Sequence, residues 1–200
     1  MPFLKRTHVK HHSHTNTDLD PDIFVKGTLA QLFAKWGIMS MMSFIPLPLL
    51  KYVNRDRYER ITSLLIGTET WQMAVVTCLT PTLLVAAILT GHFAEWLLLW
   101  FLPIRFAALL LNIFFQWLPH HPFDRTERYL NTRISLWAGG TIFTLQQNLH
   151  LMHHLWPSVP FYNYYRLYRR LRRVLLEKGS RIEGLMTGAQ ARDKRPIAQA

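Results

Sequence analysis

Apolar residues in this chain fall into long blocks rather than at the spacing of a soluble helix or strand. Residues 71–90, WQMAVVTCLTPTLLVAAILT, carry no charge, and residues 96–118, WLLLWFLPIRFAALLLNIFFQWL, carry a single one, at Arg105. A soluble helix keeps a polar face, so about 20 residues without one predict a membrane-spanning helix of ~30 Å. Trp71, Trp96 and Trp117 stand at the ends of the blocks, where amphipathic rings favour the lipid–water boundary. Residues 91–95, GHFAE, separate the blocks, which predicts a tight helical hairpin. Residues 29–53 are apolar but interrupted by Lys35, Pro46 and Pro48. Each proline removes a backbone donor and clashes with the preceding turn, so no smooth helix passes both. Residues 134–149 are moderately apolar, break at Gly139-Gly140 and are too short to span.

The polar blocks between them are basic. Arg55, Arg57 and Arg60 precede the hairpin, Arg125, Arg128 and Arg133 follow it, and the turn has no Lys or Arg. The positive-inside rule therefore expects both flanks in the cytoplasm and the turn outside. Residues 166–178, RLYRRLRRVLLEK, place Leu167, Leu171, Val174 and Leu175 on one helical face and five arginines around the rest. That pattern predicts a helix lying on an anionic membrane surface.

A chain of 200 residues, 50% hydrophobic and 13% aromatic, suits one folded domain and excludes general disorder. The formal charge of +11 calls for a polyanionic neighbour, nucleic acid or anionic lipid. The basic residues flank the expected spans and no nucleic-acid motif accompanies them, which favours lipid and argues against nucleic acid. The one cysteine, Cys78, excludes a disulfide framework within the chain and reads as a packing residue in mid-span. Residues 1–14 contain no apolar core of signal-peptide length.

The chemistry lies in the histidines. Of ten, eight fall in three clusters: His8-x-x-His11-His12, His120-His121, and His150-x-x-His153-His154. On a helix, positions i, i+3 and i+4 share a face, so each HxxHH box presents three imidazoles toward one point. Two identical boxes flanking a membrane hairpin point to a shared metal centre, and imidazole suits zinc, copper, iron or nickel. The HExxH pattern of zinc peptidases is absent. From the middle pair, His121 is the expected ligand and His120 its alternate. His14 reads as solvated or supporting, and His92, in the hairpin turn, as structural.

HVKHHSHTNTDLDPD, beginning at His8, resembles the second histidine box of membrane fatty acid desaturases and bacterial carotene hydroxylases. QQNLHLMHHLWPSVPFYNY, around His150, His153 and His154, resembles their third box, and the HHPFD segment at 120–124 is similar to the hydroxylase-like branch. The resemblance covers about residues 3–180. It implies an all-α, integral membrane fold: one transmembrane helical hairpin, interfacial helices and a cytoplasmic histidine-rich cap. The domain would occupy 1–183, with a flexible tail at 184–200. It also implies a pair of non-haem iron ions, O2 as co-substrate, and desaturation or hydroxylation of a lipid C–H bond in a fatty acyl chain or carotenoid ring. Electrons would come from a ferredoxin, rubredoxin or cytochrome. The metal residues expected are His8, His11, His12, His121, His150, His153 and His154. Asn16, Asp20, Asp22, Asp124 and Asn148 are polar neighbours available to the outer ring nitrogens. The centre would face the cytoplasm of a bacterial inner membrane.

Two further expectations follow. Both boxes must reach one metal pair, so an even number of crossings separates them and residues 29–53 form an interfacial or re-entrant segment. The family also carries an earlier HxxxH box and about eight or nine histidine ligands. This sequence offers three, three, and one or two, so a truncated product or a displaced start is the favoured explanation. The others are a partner chain supplying that box, or a decayed, inactive paralogue. A non-catalytic metal-binding membrane protein is the alternative function. An isolated chain of this length is expected to retain iron weakly and not to turn over.

Overall fold

The computed structural model describes residues 2–186 and Gly188; of the expected tail at 184–200, residues 187 and 189–200 lie outside the described residues. The helices are α1 (Pro2–His14), α2 (Leu29–Met42), α3 (Leu47–Val53), α4 (Arg55–Thr62) and α5 (Glu69–Leu89). They continue with the long α6 (Phe93–His120), then α7 (His150–Leu155) and α8 (Tyr164–Glu177). Among the described residues the fold is all-α apart from a two-residue parallel pairing of β1 (Ile134–Ser135) with β2 (Ile182–Glu183), Ile134 opposite Ile182.

The described residues divide into two compact units. One draws on Met1–Val9 and Ala30–Leu109, the other on Lys10–Leu29 and Leu110–Ala200. α5, in the first unit, is long and apolar enough to cross a membrane, as is α6, whose residues from Leu110 onward belong to the second. Leu79, Val85, Leu99 and Phe106 are exposed on them, the reverse of a soluble helix packed by its apolar side. The expected spans are thus present, each extended or shifted by up to three residues. α6 contains two π-helical turns, Trp96–Phe101 and Asn112–Trp117.

The turn between α5 and α6 is tighter than expected, only residues 90–92. Gly91 adopts φ 76°, while His92 N–H donates to Ala87 O at 2.8 Å and Gly91 N–H to Ile88 O at 3.2 Å. Left-handed glycine with these two bonds satisfies the last carbonyls of α5 and reverses the chain at once.

The apolar run at 29–53 breaks where its prolines dictate. α2 stops at Met42, Pro46 caps α3, Pro48 sits in its first turn, and α2 and α3 meet at 111°. First-turn amides have no intrahelical acceptor, so proline costs nothing there. Leu47 N–H donates to Thr77 Oγ1 on α5 at 2.9 Å, and Trp36 Nε1 to Arg105 O on α6 at 2.9 Å. Arg6 pairs with Glu69 and donates to Leu64 O at 3.1 Å.

The second unit has a core of Ile134, Leu136, Leu149, Leu151, Met152, Leu155, Tyr164, Tyr168 and Leu175. This corrects the expectation for the basic helix. Leu175 is buried with Tyr164 and Tyr168, and Leu167 and Leu171 pack against the core, so the apolar face of α8 meets protein rather than lipid. Val174 remains 41% exposed. Arg133, counted as a basic flank, is also buried. Its guanidinium donates to Leu118 O at 2.8 Å, Glu183 at 3.0 Å and Leu185 O at 2.7 Å, tying β1 to β2 and to the end of α6.

Candidate metal centre

Within the second unit the histidine boxes meet. α1 carries His11 and His12, α7 carries His150, His153 and His154, and His120 is the last residue of α6. The ligand nitrogens of His11, His120, His150 and His154 all lie within 4.8 Å of one another. His150 Nε2 is 3.2 Å from His120 Nε2 and 3.1 Å from His154 Nε2. A second meeting lies alongside, where His12 Nε2 is 2.9 Å from His153 Nε2. The rings of His12 and His154 stack between the two, with centroids 4.3 Å apart. His8 stands one turn before His12 on α1, on the same helical face and exposed.

The last box is placed by its approach. Gln146 takes a left-handed φ of 65°, after which a single 3-10 turn, Gln147–Leu149, leads into α7. Asn148 N–H donates to Thr144 Oγ1 at 2.9 Å and its side chain to Ser135 O at 2.9 Å, fixing the start of α7 to β1.

The outer nitrogens have partners of their own. His11 Nδ1 lies 2.8 Å from Asp20 Oδ1 and 3.7 Å from Asp22 Oδ2. His150 Nδ1 lies 3.0 Å from Gln147 Oε1, and His153 Nδ1 2.9 Å from the Tyr164 hydroxyl. His154 Nδ1 is 3.4 Å from Thr15 Oγ1, whose proton goes to His11 O at 2.9 Å. A neutral imidazole has one N–H and one lone pair. A carboxylate or amide oxygen beside Nδ1 assigns the proton there and turns the Nε2 lone pair inward. Lone pairs converging at about 3 Å in a buried site repel one another unless a cation sits among them.

Burial, reinforced by the neighbouring imidazoles, holds His150 and His154 well below the ordinary histidine range, so both are neutral near pH 7. Neutral imidazole is the ligand form. Burial pushes the Asp20 carboxyl up, but the His11 hydrogen bond and the amides of Asp22 and Asn16 outweigh it and hold it below its usual value. The donor set therefore fits a cation, and its all-nitrogen character fits a transition metal.

Of the adjacent pair, His120 joins the cluster and His121 does not. His121 leaves the helix with extended backbone and stacks on Trp117 at 4.4 Å, outside the cluster. Neighbouring helical positions point about 100° apart, so one of the two had to face away. Of the polar neighbours, only Asp20 and, at longer range, Asp22 reach an imidazole directly. Asn16 N–H supports Asp20 at 2.9 Å, and its side chain donates to Arg125 O and Asn131 O, both at 2.7 Å. Asp124 pairs with Arg181 at 2.8 Å, and Asn148 has the anchoring role above. His14 Nδ1 lies against Lys10 O at 3.1 Å, and His92 is exposed near Glu95. Gln147, Tyr164 and Thr15 escaped the sequence reading. Gln147 had a local signal, three residues before His150 on the same turn. Thr15 had none, since its partner is 139 residues away.

The sequence model described as fatty acid desaturase matches residues 2–184. The chain belongs to the fatty acid desaturase family. Among curated proteins and among solved structures, no match is found. For a desaturase-family chain, two helices long and apolar enough to span a membrane and a buried imidazole cluster able to hold metal form one consistent set. Together they support a membrane desaturase-type oxidoreductase function.

Proposed function

We propose that this chain carries a di-iron centre and uses O2 to remove hydrogen from an unactivated C–H bond of a lipid. The convergence of imidazole nitrogens from α1, α6 and α7 carries the reading. His11, His120, His150 and His154 would hold one iron. His12 and His153, with His8 presented on the same face of α1, belong to the other. Bound iron supplies the redox chemistry that O2 activation requires. The protein's own contribution is to keep His150 and His154 neutral and to aim the set: Asp20, Gln147 and Thr15 fix the tautomers of their partners, Tyr164 orients His153, and burial excludes water from the Nε2 side.

The substrate is a fatty acyl chain, with a carotenoid ring as the alternative in the same chemical class of lipid C–H bond. Electrons would come from a ferredoxin, rubredoxin or cytochrome. The basic flanks favour a cytoplasmic site by the positive-inside rule. Since the boxes on α1 and α7 meet, the chain between them completes an even number of crossings. α5 and α6 supply two, and the bent pair α2–α3 then enters and leaves on one face.

Anaerobic Fe(II) titration of the purified full chain, followed by Mössbauer spectroscopy, tests the centre. Nitrogen-ligated iron that disappears in His150→Ala supports the reading. Uptake of zinc alone, or iron binding indifferent to His150→Ala, rejects it. Lipid profiles of cells with and without the gene identify the substrate.

A further inference from the structure

α8 shows two unlike faces. Tyr164, Tyr168 and Leu175 are buried in the core. Arg166, Arg169, Arg170 and Arg173 are exposed, and their i, i+3, i+4, i+7 spacing puts them on one stripe about 10 Å long. Glu177 pairs with Arg173 at 3.0 Å, which leaves the stripe strongly positive. Phe161 and Tyr162, just before the helix, are exposed as well.

A helix that lies in a bilayer surface inserts its apolar face. Most of the apolar face of α8 is occupied by protein core, with only Val174 and Leu176 left exposed near its end. What remains outward is a compact array of guanidinium groups with exposed aromatic rings at one end, the side chains enriched in protein–protein hot spots. Their charge fits an acidic partner surface. The array also has a short route to the metal-centre residues: Tyr164, the first residue of α8, lies 2.9 Å from His153 Nδ1.

We propose that the outer face of α8 docks an acidic one-electron carrier protein. The inference rests on the di-iron reading of the site. Each docking event passes one electron; the carrier is oxidised, the metal centre is reduced, and no bond is made or broken. The arginines act by steering and orienting the carrier, not by touching the metal.

The test uses the iron-loaded full chain in nanodiscs of zwitterionic lipid, with an acidic [2Fe–2S] ferredoxin as the probe. Binding is measured at about 0.05 and 0.5 M salt, where screening differs severalfold in range. The triple variant Arg166→Glu, Arg169→Glu, Arg173→Glu should bind at least about tenfold more weakly than wild type, and high salt should weaken wild type comparably. The corresponding triple lysine variant should stay within about threefold, and reduction by dithionite should be unchanged in both. Equal binding by wild type and the glutamate variant overturns the docking surface, while normal iron content in that variant leaves the metal-centre reading intact. Tryptic cleavage after these arginines that is slowed by anionic lipid and not by the ferredoxin assigns the face to the bilayer, and also overturns the proposal.

Discussion

His11 Nδ1 and the Asp20 carboxylate are 2.8 Å apart, with both side chains only 3% exposed. Asp20 also accepts the backbone N–H groups of Asn16 and Asp22, each at 2.9 Å. A buried carboxylate satisfied in this way fixes the His11 tautomer and makes its Nε2 a stronger donor. Asp20→Asn should lower iron affinity by about 10–100-fold with the fold retained. Competition against a chelator measures it, and unchanged affinity would remove Asp20 from any role in the site.

The adjacent histidines should separate cleanly. His120→Ala should abolish binding of one iron equivalent, because three neighbouring imidazoles cannot replace the inward nitrogen. His121→Ala should keep both equivalents and cost about 0.5–1.5 kcal/mol of stability through loss of its stacking on Trp117. Iron stoichiometry and thermal denaturation of the two variants decide the matter; the opposite pattern would reinstate His121 as the ligand.

Tyr164→Phe deletes the hydroxyl beside His153 Nδ1 and little else. The expected result is about tenfold weaker binding of the iron near His12 and His153, with the other equivalent unaffected. Mössbauer spectra of the partly loaded protein should show one species depleted. Equal depletion of both species would mean that Tyr164 supports the fold rather than one ligand.

Acid should destabilise the metal-free protein. His150 and His154 are held well below 6.5 by burial and by their neighbours, whereas an unfolded chain takes up protons on them near pH 6.5. Below that pH the unfolded state binds more protons, so stability falls as pH falls. Above it both states are neutral and these groups add no pH dependence. The melting temperature in detergent should therefore be level above about pH 7 and drop below about 6.5. A melting temperature that rises on acidification would contradict the buried, neutral assignment.

Arg133 is a buried charge in the second unit, with its side chain 1% exposed against Glu183. Arg133→Ala leaves that carboxylate and two backbone carbonyls without their donor. The expected loss is about 3–5 kcal/mol. Arg133→Lys should recover only part of it, since one ammonium cannot reproduce the three directions of the guanidinium. Full stability of the lysine variant, followed by denaturant melts, would show that charge alone suffices.

By itself the sequence determined the local features of this protein. Apolar runs of helical length with at most one charge made α5 and α6 legible, Pro46 and Pro48 placed the α2–α3 break, and HxxHH spacing put three imidazoles on one face of α1 and of α7. These features follow from backbone periodicity and proline stereochemistry, which act over a few residues. Only the tertiary structure shows which of His120 and His121 lies in the imidazole cluster, because adjacent helical positions diverge and the packed partner selects one. It also chose Asp20 over Asp124 and Asn148, supplied Thr15 from 139 residues away, and buried Arg133. The arginine helix shows the same division most clearly: its amphipathic pattern was plain in the sequence, but an apolar face serves a bilayer or a core equally well. The packing of Tyr168 and Leu175 settled that choice, because burial is a property of what surrounds a side chain and not of the side chain itself.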